Sequence, residues 1–265
     1  MKLSIITINY NNASDLEKTI HSVAKQTWRN FEYIIIDGGS KDDSIEVIKR
    51  NQQSITHWVS ESDRGIYNAM NKGIAKAQGE YLLMLNAGDV LCSTSVLEQV
   101  FSKSAYNEDL IACDVYRSAD DKIFDKSHFP DSLTFGFLRN GTISHQATFI
   151  KRNLHDTVGL YDETLKFASD WKFFILAACR YNASYIHLNI FISICDCSGL
   201  TCMPENFPAM KKENEKVLKQ YFPAFLKDYS DYDRIKSKTL KRRKEDLLLA
   251  AKNFIKSALS KRAAV

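Results

Sequence analysis

The sequence predicts an α/β protein with a mainly parallel β-sheet flanked by helices, followed by a helical C-terminal extension. Short apolar, β-branched runs alternate with segments whose apolar residues recur at intervals of three and four, as in strands and amphipathic helices. Residues 81–85 are apolar throughout, as expected for a strand that is buried on both faces. Strand–helix alternation favours βαβ units, and such units form parallel sheets covered by helices.

The N-terminal part of the chain contains the clearest strand and helix patterns. The first strand is predicted at residues 2–9 and the first helix at 15–25, where Ser14 and Glu17 have the spacing of a capping box. Gly79 is expected to end the third helix. The other predicted strands are at 31–36, 55–59 and 81–85, and two further helices are predicted at 43–52 and 66–78. Ser95 and Glu98 form a second capping box, which predicts another helix that begins after Ser95 and reaches about residue 102.

The regular alternation is lost after residue 102. Short strands are predicted at 110–116, 122–126, 148–151 and 185–195, and helices at 131–139, 173–179 and 204–221. Pro223 is expected to end the last of these helices, because proline removes a backbone donor. We therefore expect one α/β domain at residues 1–203 and a helical, basic extension at 204–265.

The composition is that of a globular protein. Hydrophobic residues make up 45% of the chain and charged residues 26%. No apolar run approaches the roughly 20 residues that span a bilayer, and the first residues lack a signal-peptide pattern, so a cytoplasmic location is expected. The six cysteines lack zinc-site spacing, which favours buried free thiols over a metal cluster of Cys195, Cys197, Cys202 and His187.

The C-terminal segment is strongly basic. Residues 234–265 hold eleven Lys or Arg and two Asp or Glu, although the whole chain carries a formal charge of only +4. An apolar stripe within it predicts a basic amphipathic helix, which favours peripheral contact with an anionic membrane over a helix packed on the catalytic domain. No recognisable nucleic-acid-binding module accompanies it, so nucleic acid is not an expected partner. The stripe consists of Leu247, Leu248, Ala251, Phe254, Ile255, Ala258 and Leu259.

Three aspartates occupy positions typical of ligand-binding residues. Asp37 and Asp89 follow apolar runs, and Asp170 begins a helix after a loop. Ligands of α/β sheets bind outside the carboxyl ends of the strands, where carboxylates can hold Mg²⁺ together with phosphate oxygens. Asp89 has a plain alternative as the cap of the next helix. Because the chain lacks the P-loop, the dinucleotide-binding G-x-G-x-x-G and the G-x-S-x-G elbow, a nucleotide-diphosphate site built on carboxylates and a metal remains.

Five segments in order carry a resemblance to family 2 glycosyltransferases, which adopt the GT-A fold. The resemblance covers about residues 2–200, and the order of the segments makes it specific. They are Ser-Ile-Ile-Thr-Ile-Asn-Tyr-Asn at 4–11, Ile-Ile-Ile-Asp-Gly-Gly-Ser-Lys-Asp-Asp-Ser at 34–44, the Asn71-Lys72-Gly73 helix, Asn86-Ala87-Gly88-Asp89 and Ala168-Ser169-Asp170-Trp171.

The resemblance implies inverting transfer of a sugar from a nucleotide donor, most often a UDP-sugar, to a hydroxyl of a saccharide or lipid-linked saccharide in surface polysaccharide synthesis. It implies that Tyr10 and Asp37 contact the base, that Asp63 contacts base or ribose, and that Asn86 lies at the nucleotide. Asp170 is then the general base that takes the acceptor proton.

Three further residues have a functional and a plain interpretation. The resemblance places His145 on the acceptor or diphosphate side of the cleft, although a lone histidine is often structural. Lys72 reaches phosphate or is merely solvated. Trp171 stacks on a sugar ring or packs in the core.

The segment 86–89 departs from the family pattern. The family's central metal ligand falls on Gly88, the first motif position is Asn86, and only Asp89 keeps a carboxylate. Either Asp89 binds the divalent metal, Mg²⁺ or Mn²⁺, or the donor's diphosphate holds most of it. Met70 replaces an arginine of many relatives, which argues against a phosphate contact there.

Two other functions are open at this stage. Nucleotidyl transfer to a sugar phosphate is the main enzymatic alternative, but such enzymes usually carry a Gly-rich, basic loop after the first strand. A non-catalytic sugar-nucleotide binding protein is the second, because the metal motif is altered.

Overall fold

The computed structural model describes residues 2–102 and 105–262, with the side chains of Leu200 and of residues 249–262 outside the description. The chain divides into two compact units, Met1–Asn214 and Glu215–Val265. The second unit begins inside a helix, whereas the expected boundary at 203/204 precedes that helix. The division of function between the two parts stays a prediction.

The first half of the larger unit is a parallel sheet with helices between its strands. Its strands run in the order β3-β2-β1-β4, and each neighbouring pair is parallel. Every residue of β1 is buried, because helices cover the sheet. The elements are β1 (Leu3–Asn9), α1 (Ala13–Ala24), β2 (Phe31–Asp37), α2 (Ser44–Arg50), β3 (His57–Ser60), α3 (Ile66–Lys76) and β4 (Tyr81–Met84).

The second half extends the sheet with both parallel and antiparallel pairs. Strand β8 lies antiparallel between β4 and β6, β9 runs parallel to β6, and β5 pairs antiparallel with β9. The prediction of an α/β sheet flanked by helices is confirmed. These elements are β5 (Val90–Leu91), α4 (Val96–Phe101), β6 (Leu110–Ala119), β7 (Lys122–Ser127), α5 (Phe135–Leu138), β8 (Thr148–Lys151), α6 (Leu154–Val158), α7 (Ser169–Cys179), β9 (Tyr185–Asp196), α8 (Phe207–Tyr221) and α9 (Pro223–Arg262).

Both predicted capping boxes are wrong. Helix α1 begins at Ala13, and Asn12 at its N-cap makes no side-chain cap. The carboxylate of Asp42 instead accepts the Ala13 N–H at 2.9 Å. Ser95 precedes α4, and its hydroxyl accepts the side-chain amide of Gln99 at 3.1 Å instead of capping a backbone N–H of the helix. Tertiary contacts can replace a local cap because any nearby acceptor satisfies the free N–H groups of a helix.

Gly79 has a role different from the predicted helix stop. Helix α3 ends at Lys76, before Gly79 is reached. A Cβ atom at residue 79 would lie 2.5 Å from the backbone nitrogen of Ser4. Glycine is therefore required because the chain entering β4 crosses β1 at close backbone contact.

The C-terminal unit contains the end of α8 and the 40-residue helix α9. Residues 231–248 are exposed along the whole of this stretch. Leu247 and Leu248 of the predicted apolar stripe are 72% and 55% exposed, and the side chains of its members from 251 to 259 lie outside the described residues. Among the described helices, none combines the length and apolarity needed to cross a membrane.

Candidate active site

The carboxyl ends of the parallel strands bring polar residues to one edge of the sheet. Asn9 at the end of β1 pairs with Asp37 at the end of β2, and Asp37 pairs with Ser60 at the end of β3. The chain beyond β4 continues along β1, since Ala87 N–H donates to the Ile8 carbonyl at 3.1 Å. The predicted nucleotide and metal residues therefore lie on neighbouring strand ends.

Asp37 is fully buried and accepts five hydrogen bonds. Its donors are the Asn9 amide, the hydroxyls of Ser40 and Ser60, and the backbone N–H groups of Gly39 and Ser40. Burial alone would raise the pKa of Asp37, but the hydrogen bonds from Ser40 and Ser60 outweigh it and hold the pKa below its usual value. The carboxylate thus organises the turn after β2, and its predicted contact with a base stays a prediction.

Tyr10 and Asp63 lie on either side of Gly38. A Cβ atom at Gly38 would come 3.2 Å from Tyr10 Cδ2 and 2.5 Å from Asp63 Oδ2. The Tyr10 ring is 64% exposed, and Asp63 accepts the N–H of Gly65 at 2.8 Å. An exposed aromatic ring and a carboxylate thus both lie close to a residue without a side chain.

Lys72 contacts the loop before α3, and its predicted phosphate contact stays a prediction. The ammonium of Lys72 lies 2.8 Å from Glu61 and donates to the Ser62 carbonyl at 3.0 Å. Met70 is fully buried. The observed bonds of Lys72 brace the loop 61–63 against α3.

The structure contradicts the helix-cap role of Asp89, whereas its metal role stays a prediction. Its carboxylate is 3% exposed and accepts the N–H of Asp196 at 3.0 Å and that of Asn86 at 3.2 Å. It does not cap the next helix, because β5 follows directly and α4 begins at Val96. Burial raises the pKa of Asp89 to about 6, although the charge of His145 and several hydrogen bonds lower it. A buried carboxylate with both oxygens engaged does not suit an open metal ligand.

Asp196 is the residue at this turn that the sequence analysis missed. Gly88 has a positive φ of 103°, and a Cβ atom there would lie 3.3 Å from Asp196 Oδ2. The Asp196 side chain therefore lies over residue 88. One sequence pattern points to it: Asp196 ends a strand before a Ser-Gly pair, much as Asp37 ends β2 before Gly-Gly-Ser.

Asp170 lies in the first turn of α7 and has two side-chain partners. His145 Nδ1 is 2.9 Å from Asp170 Oδ2, and the Tyr67 hydroxyl donates to Oδ1 at 3.0 Å. The Asp170 side chain remains 18% exposed, so an external hydroxyl can reach it. Burial raises the pKa of Tyr67 well above its usual value, which keeps this phenol a hydrogen-bond donor.

His145 and Asp170 form an ion pair. Burial alone would raise the pKa of Asp170, but the hydrogen bond and charge of His145 outweigh it, and the pKa is lowered. Burial would lower the pKa of His145, yet Asp170 and Asp89 raise it above its usual value. Imidazolium Nε2–H needs an acceptor, and the Asn86 amide lies 3.3 Å away with an Oδ1 that has no partner. With the Asn86 amide turned by 180°, its Oδ1 accepts a hydrogen bond from the His145 Nε2–H.

Trp171 packs in the core. Its ring is 5% exposed and its indole N–H donates to the Leu138 carbonyl at 2.6 Å. Of the two interpretations, these contacts favour core packing over stacking on a sugar ring, because neither ring face is accessible.

Two glutamates hold the loop that precedes Asp170. Glu163 accepts hydrogen bonds from Asn71, Asn68 and Arg64, and these lower its pKa to about 2. Glu213 on α8 accepts three successive backbone N–H groups, from residues 166, 167 and 168, at 2.8 to 3.0 Å. No local pattern identifies either glutamate, because their partners are distant in sequence.

The cysteines are free, as predicted. Only Cys113 among them is buried and the others are half-buried, so the expectation of full burial is wrong for those. His187 contacts Asp114 and Asp131 rather than the thiols. In the described ranges, no set of three or more His, Cys, Asp or Glu residues is arranged to hold a metal ion.

Comparisons with known proteins identify a family. The model of glycosyl transferase family 2 matches residues 4–161. The PGL/p-HBAD biosynthesis glycosyltransferase of Mycobacterium bovis (strain BCG / Pasteur 1173P2) is 34% identical over 177 residues, which cover 64% of this chain and 67% of the relative.

Two solved structures share the fold. S. aureus TarS 1–349 has a TM-score of 0.63 and 18% identity, over 83% of this chain and 66% of that chain; it has also been solved with UDP-GlcNAc. The mannosyltransferase PcManGT from Pyrobaculum calidifontis, solved with GDP-Man and Mn²⁺, has a TM-score of 0.57 and 15% identity, over 74% of this chain and 56% of that chain. At these identities the likeness concerns the fold, and it confirms the predicted GT-A class.

Proposed function

The chain belongs to glycosyl transferase family 2 and is a glycosyltransferase, and on this basis we propose that it inverts the anomeric centre of a UDP-sugar as it transfers the sugar. The acceptor is a hydroxyl of a saccharide or lipid-linked saccharide. The observation that carries this proposal is the ion pair of Asp170 and His145, with 2.9 Å between Oδ2 and Nδ1.

Asp170 acts as the general base. It takes the proton of the acceptor hydroxyl while that oxygen forms a bond to the anomeric carbon, and the bond from this carbon to the diphosphate oxygen breaks. An ionised carboxylate suits this step because it must accept a proton near neutral pH. His145 and Tyr67 each donate to one Asp170 oxygen, which fixes the carboxylate orientation and leaves lone pairs for the acceptor.

The base of the donor binds between Tyr10 and Asp63. The exposed Tyr10 ring offers a stacking face, and the Asp63 carboxylate offers an acceptor beside Gly38. A UDP donor is supported by the UDP-GlcNAc complex of TarS. Asp37 acts in this proposal by holding the turn through Ser40, and Asn86 lies where the diphosphate follows.

A divalent metal, Mg²⁺ or Mn²⁺, serves as cofactor and is supported by the Mn²⁺ of PcManGT. When bound, such a metal neutralises the departing diphosphate, so that no acid is needed there. Mg²⁺ takes only one or two carboxylates and otherwise phosphate and water oxygens, which suits a site with few protein ligands. The Asp196 carboxylate, which lies beside Gly88 and is half-buried, fits this requirement better than buried Asp89 does.

The acceptor is proposed to be presented at a membrane surface. The M. bovis relative is named for PGL/p-HBAD biosynthesis. The exposed stretch 231–248 of α9 includes Lys241, Arg242, Arg243 and Lys244, and such a basic helix is attracted to anionic lipid.

Release of UDP from a panel of UDP-sugars, with Mg²⁺ or Mn²⁺, tests the proposal. The full chain should release UDP slowly without acceptor, and Asp170→Asn should lower that rate at least about a hundredfold with unchanged nucleotide binding. Unchanged release in Asp170→Asn would rule out Asp170 as the base. Binding without any turnover would support the non-catalytic alternative, and release of pyrophosphate from UTP and a sugar phosphate would support nucleotidyl transfer.

A further inference from the structure

The pairing of β5 with β9 sets Asp196 opposite Gly88. Val90 pairs antiparallel with Ile194, and Leu91 with Ser193. Continued toward the turn, the same register carries residue 88 to residue 196, in agreement with the 3.3 Å between a Cβ at Gly88 and Asp196 Oδ2. Residue 88 itself has no carboxylate, but the carboxylate of Asp196, at the end of β9, lies beside it.

Asp89, which the sequence predicts to bind the metal, instead positions the backbone of Asp196. The Asp89 carboxylate accepts the backbone N–H of Asp196 at 3.0 Å and so fixes the end of β9. Thr19 secures the turn from α1, because its hydroxyl donates to the Asp89 carbonyl at 2.8 Å and accepts the Gly88 N–H at 3.0 Å. Asp89 is therefore a structural residue, and its side chain holds the segment that carries Asp196.

Asp196 keeps the capacity to bind a cation. Its side chain is half-buried and accepts two hydrogen bonds from Ser198, through the backbone N–H and the hydroxyl. Each carboxylate oxygen accepts only one of these and retains a lone pair. Ser198 is exposed, so its hydroxyl can turn aside when a cation takes its place.

We propose that Asp196, rather than Asp89, is the protein carboxylate that binds the divalent metal of the donor complex. The inference rests on the proposed function, because the metal enters with a nucleotide diphosphate. One aspartate with diphosphate and water oxygens is a coordination set typical of Mg²⁺ and Mn²⁺. Asn86 of this turn contacts His145, and His145 contacts Asp170, so a metal held by Asp196 would lie on the same side of the sheet edge as the proposed base.

Binding of Mn²⁺ to the full chain in the presence of UDP tests this, measured from the loss of the free Mn²⁺ signal in electron paramagnetic resonance. Asp196→Asn should weaken Mn²⁺ binding at least about tenfold. Asp89→Asn retains an acceptor for the Asp196 N–H and should change binding by less than about threefold. Asp15→Asn is the matched control, because the Asp15 Cβ lies 3.7 Å from the same Gly88 position, and it should bind Mn²⁺ as the wild type does.

Each outcome separates this inference from the proposed function. Equal Mn²⁺ binding by the wild type and Asp196→Asn, with matched thermal unfolding midpoints, overturns the assignment of Asp196 as the metal ligand and leaves the proposed function standing. Loss in Asp89→Asn or Asp15→Asn without loss in Asp196→Asn also overturns it. Failure of the wild type to bind Mn²⁺ with UDP contradicts the proposed cofactor itself. Asp196→His guards against a folding defect, since an imidazole ligand should restore binding of Co²⁺ but not of Mg²⁺.

Discussion

The imidazole Nδ1 of His145 lies 2.9 Å from Asp170 Oδ2, and Nε2 of the same ring lies 3.3 Å from the Asn86 side-chain amide. A turn before β8, the first turn of α7 and the turn after β4 are thereby joined through one side chain. The pKa of Asp170 is lowered despite its burial because of the hydrogen bond from His145 and, after it, the electrostatic interaction with the same ring.

Replacing His145 should move the pH dependence of turnover. In His145→Gln the amide can still donate to Asp170, but the positive charge is gone and the pKa of Asp170 rises. The acidic limb of the kcat profile should therefore move to higher pH. His128→Gln is the matched control, because His128 forms a similar pair with Asp114 at 2.7 Å. An acidic limb that stays at the wild-type pH in His145→Gln would contradict the ion pair.

Glu213 should act as a positioning residue for Asp170. In Glu213→Ala the N–H groups of residues 166–168 lose their acceptor, which should lower the free energy of unfolding by about 2 kcal/mol. Loosening of the loop before α7 should lower kcat about tenfold or more with little change in the donor KM. Amide hydrogen exchange at residues 166–168 should become faster in the variant.

Two variants control the Glu213 experiment. Glu213→Gln keeps one carbonyl acceptor and should fall between wild type and alanine. Glu215→Ala removes a carboxylate two residues further on, which lies 3.9 Å from Lys219 on the surface, and should leave kcat unchanged. A fall in stability without any fall in kcat would show that Glu213 is structural only.

His155 should make the protein sensitive to mild acid. The ring is 5% exposed and stacks on Phe173 with 4.5 Å between centroids, and its Nε2 has no hydrogen-bond partner among the described residues. Burial lowers the pKa of His155 from 6.5 to about 4. Because the folded pKa lies below the unfolded one, stability is complete above pH 6.5 and is lost as the pH falls toward about 4.

The expected loss from His155 is roughly 3 kcal/mol across that window. It is measured from urea unfolding between pH 7 and pH 4. His155→Phe preserves the ring stack and should show a correspondingly smaller loss, whereas His21→Gln at an exposed position should follow the wild type. An identical pH dependence in His155→Phe and the wild type would refute this role.

The basic segment of α9 should bind anionic lipid. Changing Lys241, Arg242, Arg243 and Lys244 to glutamine in the full chain removes about 1 kcal/mol of attraction per side chain. Co-sedimentation with phosphatidylserine-containing liposomes should weaken more than about tenfold, and raised salt should weaken it in the wild type. The control changes the exposed Lys211, Lys212, Lys216 and Lys219 of α8; an equal loss in both variants would favour nonspecific charge attraction.

Local sequence patterns were sufficient for the parallel half of the fold. Apolar runs and helical periodicity depend on neighbours in the chain, so strands β1 to β4 and the helices between them follow from spacing alone. The same patterns, with the family resemblance, placed Asp37, Asp89 and Asp170 at strand and helix ends. The family itself and the glycosyltransferase activity were therefore predictable before any coordinates.

Contacts between residues distant in sequence were decided by the tertiary structure. Whether Asp89 is open or buried depends on the Asp196 N–H, more than a hundred residues away, and the cap of α1 comes from Asp42 rather than from its own first turn. Burial and partner geometry also shift the pKa values of His145, upward, and of Asp170, downward. The sequence alone thus determined the succession of strands and helices along the chain, and it determined the family. Packing decided which carboxylate faces the site, because desolvation and hydrogen bonding between distant residues exist only once the strands have met.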